Sequence, residues 1–325
     1  MRPGILELLR NAGTNYISGE EIAEKFGVSR TAVWKHIREL REQGYRIISR
    51  PRNGYRLEAA PDLLLPGEIQ NGLHTGFLGK NVIYYDTIDS TNREAKRLAA
   101  EGKPEGTIVV AEEQGSGRGR MERSFFSPRG GIWFSVILRP DFLPQEAPKC
   151  TLLAAAATAR AMEEFGFRVG IKWPNDILYD GKKLVGILTE MSAEMDRINY
   201  IVIGTGINVN IRKEEFPEEL RETASSLQII GGKKISRVAF FRVLLEKMEE
   251  LYRSASEEGF ASVMQAWRQY SITLGQEVQV IGIGKEERFT GTAVDIDEDG
   301  ALLIDTCEGR RRVVAGDVSI RSANV

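Results

Sequence analysis

Apolar residues recur at helical spacing three times near the start of the chain. Ile5, Leu6, Leu8 and Leu9 form the first set, which Gly13 stops. Ser18 with Glu21 reads as a capping box, and Ile22, Ala23 and Phe26 give the helix behind it an apolar face that Gly27 ends. Ser29 then opens a third helix over 30–43, with Val33, Ile37 and Leu40 on one side and Gly44 as its stop. The pattern next shifts to alternation. Tyr45-Arg46-Ile47-Ile48-Ser49 and Tyr55-Arg56-Leu57 flank Arg50-Pro51-Arg52-Asn53-Gly54, which predicts a β-hairpin. A short helix, a tight turn, a second helix and a hairpin together predict a winged helix-turn-helix over 1–65.

Pro61-Asp62 and Pro66-Gly67 mark a boundary, with the apolar run 63–65 between them as a docked linker. The pattern then mixes strands with helices. Strands are predicted over 81–86, 107–111, 132–138, 169–172, 183–188 and 200–210, and helices over 93–100, from 145, over 236–253 and over 260–270. From residue 273 onward only short alternating runs remain, at 277–281, 288–294, 301–304, 310–314 and 318–320, with Asp299-Gly300 as a hairpin turn. That spacing predicts a small SH3-like β-barrel. The fold class is therefore α+β and multidomain: a winged helix-turn-helix over 1–65, a mixed sheet with helices over 66–272, and a small barrel over 273–325.

Composition narrows the chemistry. A length of 325 residues suits two or three domains, and a formal charge of −2 excludes a uniformly basic nucleic-acid binder. Residues 1–60 nonetheless carry 11 Lys and Arg against 7 Asp and Glu, a local excess of +4. The excess sits on the third helix and the wing, as phosphate contact requires, and Arg30, Thr31, Trp34, Lys35, Arg38, Arg50 and Arg52 are the candidate DNA contacts. A module used only for protein contact is the competing reading, and Trp34 could equally pack against the wing. Arg310, Arg311 and Arg312 read as a charged edge strand. The first residues lack the apolar core of a signal peptide, and no run approaches the ~20 residues that span a bilayer. The two cysteines, Cys150 and Cys307, read as reduced cytosolic thiols, so a cytoplasmic protein is expected. With His36 and His74 as the only histidines, a Cys/His zinc site and a Ser–His–Asp triad are excluded. Catalysis must rest on positioning, Arg and Lys electrostatics, and a metal on oxygen ligands.

Gly115-Ser116-Gly117-Arg118-Gly119-Arg120, preceded by Gln114, is the stretch around which the chemistry is organised. Glycines bring backbone amides close to a ligand, and arginines one residue apart supply always-charged donors suited to a carboxylate or phosphate. It lies in a connection of about 20 residues between two strands, a length that points to function, and the loop is expected to be mobile when empty and ordered over its ligand. Ser90 and Thr91 at a helix start offer hydroxyls or caps. Lys172-Trp173-Pro174-Asn175-Asp176 follows a strand that its proline stops, and Lys183 opens the next strand. Gly186 allows close backbone approach; Gly204 and Gly206 are sites where a ligand could lie flat, with Asn208 a polar contact at that strand's end.

Gly117-Arg118-Gly119-Arg120, Phe126-Ser127-Pro128, Lys172-Trp173-Pro174-Asn175-Asp176, Lys183-Leu184-Val185-Gly186-Ile187-Leu188 and Gly206-Ile207-Asn208-Val209-Asn210 stand in this order. As a set they resemble the bacterial biotin–protein ligases, and with the winged helix the bifunctional class that is also the biotin operon repressor. The resemblance spans essentially the whole chain. It implies a class II synthetase-like central domain that joins biotin and ATP into biotinyl-5′-AMP and passes the biotinyl group to a lysine of a biotin carrier domain. It implies that Ser90, Thr91, Asn92 and Gln114 hold the biotin head group, and that Arg118, Gly119 and Arg120 line its carboxylate and the adenylate phosphate. Lys172 and Lys183 then contact the acyl-phosphate region, with Lys183 also at the biotin side; Arg118, Arg120, Lys172 and Lys183 form the catalytic set. Phe125, Lys172, Asn175, Asp176 and Asn208 serve the nucleotide, and Asp176 the Mg²⁺. The adenylate-bound form is expected to dimerise and bind operator DNA. The family loop reads Gly-Arg-Gly-Arg-x-Gly-Arg-x-Trp, whereas here Glu122 replaces a glycine and Phe125 the tryptophan. Phe125 is expected to stack on adenine, and Glu122 to change the loop's fold or speed release of the adenylate. The alternatives are a ligase with an idle winged helix, a biotin sensor without transfer, and a lipoate-type ligase, against which the Gly-Arg-Gly-Arg loop argues.

Overall fold

A computed structural model describes residues 1–282, 288–315 and 318–322; of residues 122 and 318–322 it describes the backbone alone. The side chain of Glu122 therefore lies outside the described residues. The chain divides into two compact units, Met1–Leu63 and Leu64–Val325.

The first unit contains α1 (Arg2–Asn11), α2 (Gly19–Phe26), α3 (Arg30–Glu42), β1 (Arg46–Arg50) and β2 (Gly54–Ala59). The Ser18 and Ser29 hydroxyls accept the amides of Glu21 and Ala32 at 3.0 and 3.2 Å, capping α2 and α3. Ile5, Leu9, Ile22, Val33, Ile37 and Leu40 are buried together as the unit's core. Ile17 forms an isolated antiparallel bridge to Tyr55 beside the two-stranded sheet. Gly54 makes this possible: its φ is +102°, and a Cβ there would run into the Ile17 carbonyl. Arg41, on the basic side of α3, donates to the Ile47 carbonyl at 2.9 and 2.6 Å, so it ties the helix to the wing.

The second unit is built on a seven-stranded sheet of order β3-β4-β5-β9-β8-β7-β6. In chain order its elements are α4 (Pro66–Gln70), β3 (Asn81–Ile88), α5 (Thr91–Ala100), β4 (Thr107–Gln114), β5 (Ile132–Leu138), α6 (Lys149–Glu164), β6 (Gly170–Lys172), β7 (Asp176–Tyr179), β8 (Lys182–Ala193), β9 (Ile198–Ile207), α7 (Leu227–Gly231), α8 (Arg237–Glu258) and α9 (Ala261–Tyr270). Phe134, Val136, Ile201 and Ile203 pack with residues of α6, α8 and α9 into the main core. The strands' alternate residues, Val109, Ile137 and Val202, pack under α5. Beyond α5 that second face carries Phe125 of the segment that joins β4 to β5.

After α9 come β10 (Glu277–Gly282), β11 (Arg288–Ile296), β12 (Leu302–Thr306), β13 (Gly309–Val313) and β14 (Val318–Ser322), an antiparallel sheet of order β13-β12-β11-β10-β14. It joins the central sheet through the Trp173 indole, which donates to the Gly300 carbonyl at 3.1 Å, and through Arg268, 2.7 Å from Asp295. Arg310, Arg311 and Arg312 lie on β13, an edge strand, and are paired with Asp305, Glu308, and Asp297 with Asp299. No helix among the described residues is long and apolar enough to cross a membrane. The pattern alone missed β7, whose four residues are too few to show a period, and the extension of β8 to Ala193. It also ended α8 near Arg253; buried Ala255 continues the apolar face past the polar residues there, and Gly259 follows the helix.

Candidate functional site

Three glycines leave the open face of the central sheet without side chains. Gly186 on β8 pairs directly with Gly206 on β9, and Gly204 lies two residues before it. The expectation that a ligand lies flat on the β9 glycines meets a different arrangement. A Cβ at Gly186 would lie 2.6 Å from the Phe125 ring and one at Gly206 2.7 Å, while one at Gly204 would collide with the Asn92 amide. The floor is thus shaped for two of the protein's own side chains. Phe125 also meets Trp133 edge-on at 6.0 Å between centroids.

The segment between β4 and β5 carries Phe125 there by folding back on itself. Gln114 N–H donates to Ser127 O at 3.0 Å, Phe125 N–H to Gly117 O at 2.8 Å, and Gly119 N–H to Arg123 O at 2.7 Å. Met121 turns the tip with φ 55°. A Cβ at Gly117 would lie 2.6 Å from the Ser127 hydroxyl, so the glycine lets the strands of this hairpin close.

On one side of Phe125 opens a cleft of about 270 Å³ whose lining includes Arg118, Arg120, Arg123, Lys172, Asn175, Asp176 and Lys183. Asp176 is the sole acid among its described lining residues, so the cleft is strongly cationic. Lys183 Nζ stands 2.7 Å from Asp176 Oδ1 and 5.5 Å from the centre of the Phe125 ring. Asn175 donates to Ile187 O at 2.8 Å and accepts from Arg120 at 3.3 Å. Arg120 also donates to the Ala315 carbonyl, beyond β13. Burial pushes the Arg120 guanidinium below its ordinary pKa; Asp176 opposes that shift and Arg123 adds to it. The Trp173–Pro174 peptide is cis.

On the other side of Phe125 a smaller cavity of about 30 Å³, room for about one water, is lined by Ser90, Thr91, Asn92, Gln114, Arg118, Phe134 and the three glycines, among others. Ser90 caps α5 weakly, its hydroxyl 3.5 Å from the Arg93 amide. Thr91 meets Gln114 Oε1 through its amide at 2.9 Å and its hydroxyl at 3.0 Å. Ser135, buried in the middle of β5, lies 2.9 Å from the Thr91 hydroxyl and 2.6 Å from Asn92 Oδ1. Asn92 in turn donates to Leu188 O at 3.3 Å and to Glu190 at 3.0 Å, and Lys96 sits 2.8 Å from the other carboxylate oxygen of Glu190. Burial pushes the Glu190 carboxyl up, but the bonds from Lys96 and Asn92 outweigh it and the pKa falls below the ordinary value.

Most of the expected site residues therefore gather around Phe125. Asn208 stands apart: it lines neither cavity among the described residues, is buried beneath β8 and donates to Lys183 O at 3.5 Å. Ser135, Glu190 and Lys96 were missed. Ser135 is the one hydroxyl in an otherwise apolar strand, and Glu190 continues the two-residue alternation from Gly186 and Leu188 on the cavity side of β8. Those signals were present, but without the partners across the sheet they had no meaning.

In the first unit a groove of about 920 Å³ runs between α3 and the wing, lined by Arg30, Thr31, Trp34, Arg50 and Arg52 among others. Trp34 is 52% exposed with Arg38 stacked 5.1 Å from its ring centre, so it points out into this groove rather than packing into the core. Lys35 and Arg38 are exposed on the same helix.

Comparison with known proteins agrees in all parts of the chain. The family model "Biotin/lipoate A/B protein ligase family" matches residues 84–208, "HTH domain" residues 4–56, and "Biotin protein ligase C terminal domain" residues 273–321. The chain is 44% identical to the bifunctional ligase/repressor BirA of Bacillus subtilis over 322 residues, covering 98% of each. It is 32% identical to the Escherichia coli BirA over 321 residues, 98% of this chain and 97% of that one. The structure of the biotin protein ligase from Aquifex aeolicus in complex with biotin and ATP matches with a TM-score of 0.66 and 33% identity, over 75% of this chain and 100% of that one. With likeness extending from the winged helix through the last sheet, the chain belongs to the family of bifunctional biotin protein ligase/repressors.

Proposed function

We propose that this protein activates biotin with ATP, transfers it to a lysine of a biotin carrier domain, and in its adenylate-bound form represses genes through the winged helix. The observation that carries the reading is the pair of cavities on either side of Phe125: one small and polar, one cationic, sharing Arg118, Gly186 and Leu188. The head group of biotin sits in the first, against Ser90, Thr91 and Gln114, with Asn92 acting from behind Thr91. Its tail runs past Arg118 and Gly119 into the second, where ATP binds. Phe125 swings off the glycine floor to admit the ligand and stacks on adenine.

The first step joins two anions. A biotin carboxylate oxygen forms a bond to the α-phosphorus of ATP, and the bond from that phosphorus to pyrophosphate breaks. Arg118, Arg120, Lys172 and Lys183 neutralise the charge gathering there, and fixed cations need no reorganisation as it develops. In the second step the carrier lysine's amine attacks the acyl carbon and AMP leaves. Mg²⁺ is commonly held by one or two carboxylates with the substrate's phosphates. Asp176 fits that role as the sole acid among the described residues of the cleft, and the ion would supply further neutralisation of the phosphates. Asn175 and Asn208 serve the nucleotide side, Asn208 by supporting the Lys183 strand. The working division is 1–65, 66–272 and 273–325, and the DNA-bound form is a homodimer reaching two half-sites.

The test has two arms. Biotin should trigger pyrophosphate release from ATP and label a carrier domain; release without labelling would leave a sensor, and no release would overturn the ligase. Sheared genomic DNA should be retained at a few sites only when biotin and ATP are both present. Retention that ignores them would overturn adenylate-dependent repression.

A further inference from the structure

Asn175 stands in the turn between β6 and β7, opposite Ile187 of β8. The Ile187 amide donates to the Asn175 backbone carbonyl at 3.0 Å, and the Asn175 side-chain Nδ2 donates back to the Ile187 carbonyl at 2.8 Å. This reciprocal pair fastens the carboxamide to the central sheet. It also settles which end of the carboxamide faces the cleft. A backbone carbonyl only accepts, so the NH₂ faces Ile187 and Oδ1 is turned the other way. There it accepts from Arg120 Nη1 at 3.3 Å. A guanidinium only donates, so both neighbours require the same orientation.

Arg120 projects from the tip of the folded-back segment between β4 and β5, where Met121 turns the chain. Its Nη2 donates to a second acceptor, the Ala315 carbonyl. A planar guanidinium held at one terminal nitrogen can still pivot about that contact; held at both Nη1 and Nη2, its plane is fixed. Both acceptors are neutral, so these two contacts place the group without cancelling its charge. The acid next to Asn175 in the chain has a different partner: Asp176 Oδ1 lies 2.7 Å from Lys183 Nζ.

We propose that Asn175 is a positioning residue for adenylation: it ties the Arg120 guanidinium to the central sheet, and it acts on the nucleotide only through that group. The inference rests on the proposed reaction, in which Arg120 neutralises charge gathering at the α-phosphorus. A cation placed beforehand stabilises that charge without reorganising, and a displacement of about 1 Å can cost about 10²-fold in rate.

A double-mutant cycle on biotin-dependent pyrophosphate release separates this role from direct contact with the nucleotide. The four full-length proteins are the wild type, Asn175→Ala, Arg120→Met and the double variant. Asn175→Ala should lower kcat about 10- to 100-fold, with the KM for biotin unchanged. Arg120→Met should lower kcat about 10²- to 10³-fold. The double variant should be no slower than Arg120→Met alone, because without the guanidinium Asn175 has nothing to place. Losses that multiply in the double variant mean that Asn175 acts on the nucleotide itself or on the shape of the cleft, and they overturn the proposal while leaving the ligase standing. An Asn175→Ala or Arg120→Met protein as fast as the wild type overturns it equally. A wild type that releases no pyrophosphate with biotin overturns the ligase reading, and the inference with it. Should Asn175→Ala not fold, Asn175→Ser, which keeps a donor hydroxyl on the Ile187 side, takes its place in the cycle, and multiplying losses there overturn the proposal in the same way.

Discussion

Lys183 is held between a carboxylate and an aromatic face, 2.7 Å from Asp176 and 5.5 Å from the Phe125 ring centre. Both neighbours hold its ammonium in the cleft, so in the proposed reaction it would be already placed. Lys183→Met should lower the rate of biotin-dependent pyrophosphate release about 10²- to 10³-fold, the usual loss for one preorganised electrostatic contact. The KM for biotin should change far less, because the seat proposed for the head group lies on the other side of Phe125. Equal losses in both constants would mean that Lys183 supports the fold of the cleft instead. At this scale Arg118, Arg120, Lys172 and Lys183 of the cleft were legible from the glycine-rich loop and from the Lys-Trp-Pro-Asn-Asp and Lys-Leu-Val-Gly-Ile-Leu motifs. The resting place of Phe125 was not, since it depends on Gly186 and Gly206 coming opposite each other on neighbouring strands.

Two contacts made by α8 anchor the loops around the sheet. Glu249 on α8 accepts the amides of Gly76, Phe77 and Leu78 at 2.5, 3.0 and 2.9 Å, fixing the turn that precedes β3. Burial pushes this carboxyl up, but the three amides and Arg253 outweigh it and its pKa is lowered. A depressed pKa contributes stability that is fully present above the unfolded value of about 4.3 and is lost as pH falls through the folded value. Glu249→Gln should cost about 1–3 kcal/mol at neutral pH, read as a shift in the denaturant midpoint. The gap between variant and wild type should shrink as the medium is acidified, and a constant gap would contradict the assignment. The second anchor is the buried pair Arg237–Glu112, 2.8 Å apart with both side chains almost fully enclosed. Glu112 also accepts the Leu64 amide at 2.8 Å, and Arg237 donates to Gly131 O at 2.8 Å. One ion pair thus clasps the start of the second unit, the end of β4 and the far end of the connection between β4 and β5. Arg237→Met alone should cost about 3–5 kcal/mol by stranding a buried carboxylate, and adding Glu112→Leu should recover much of it. If the double variant is as unstable as the single, the stranded charge is not the cause. The longer helices, most strands and several caps were readable from periodicity, whereas the five-residue helices α4 and α7 were not. These anchors were not, because each joins positions far apart in sequence.

The whole molecule separates its two tasks. The winged helix has its own core and its own caps, and its exposed cations line a groove that no catalytic residue shares. Under the proposed DNA contact, Arg50 and Arg52 on the wing and Arg30 and Lys35 on α3 would make binding salt-dependent in proportion to the phosphates they neutralise. Arg50→Ala should weaken operator binding across sequences and reduce the slope of log affinity against log salt by about one per winged helix. An unchanged slope would remove Arg50 from the phosphate contacts.

The sequence by itself determined the order of domains, because period and composition change where the architecture changes: helical spacing with a basic excess first, mixed strands and helices next, short alternating strands last. It also determined the chemical character of the site, because glycines and fixed cations at close spacing in one segment reveal their use locally. Only the tertiary structure decided how those groups are oriented. Thr91, Ser135, Asn92 and Glu190 come from different elements, α5, β5 and β8, and their hydrogen bonds span up to 98 positions of the chain. The direction in which a hydroxyl points is set by which acceptors surround it, and that set exists only once the sheet has brought its strands side by side.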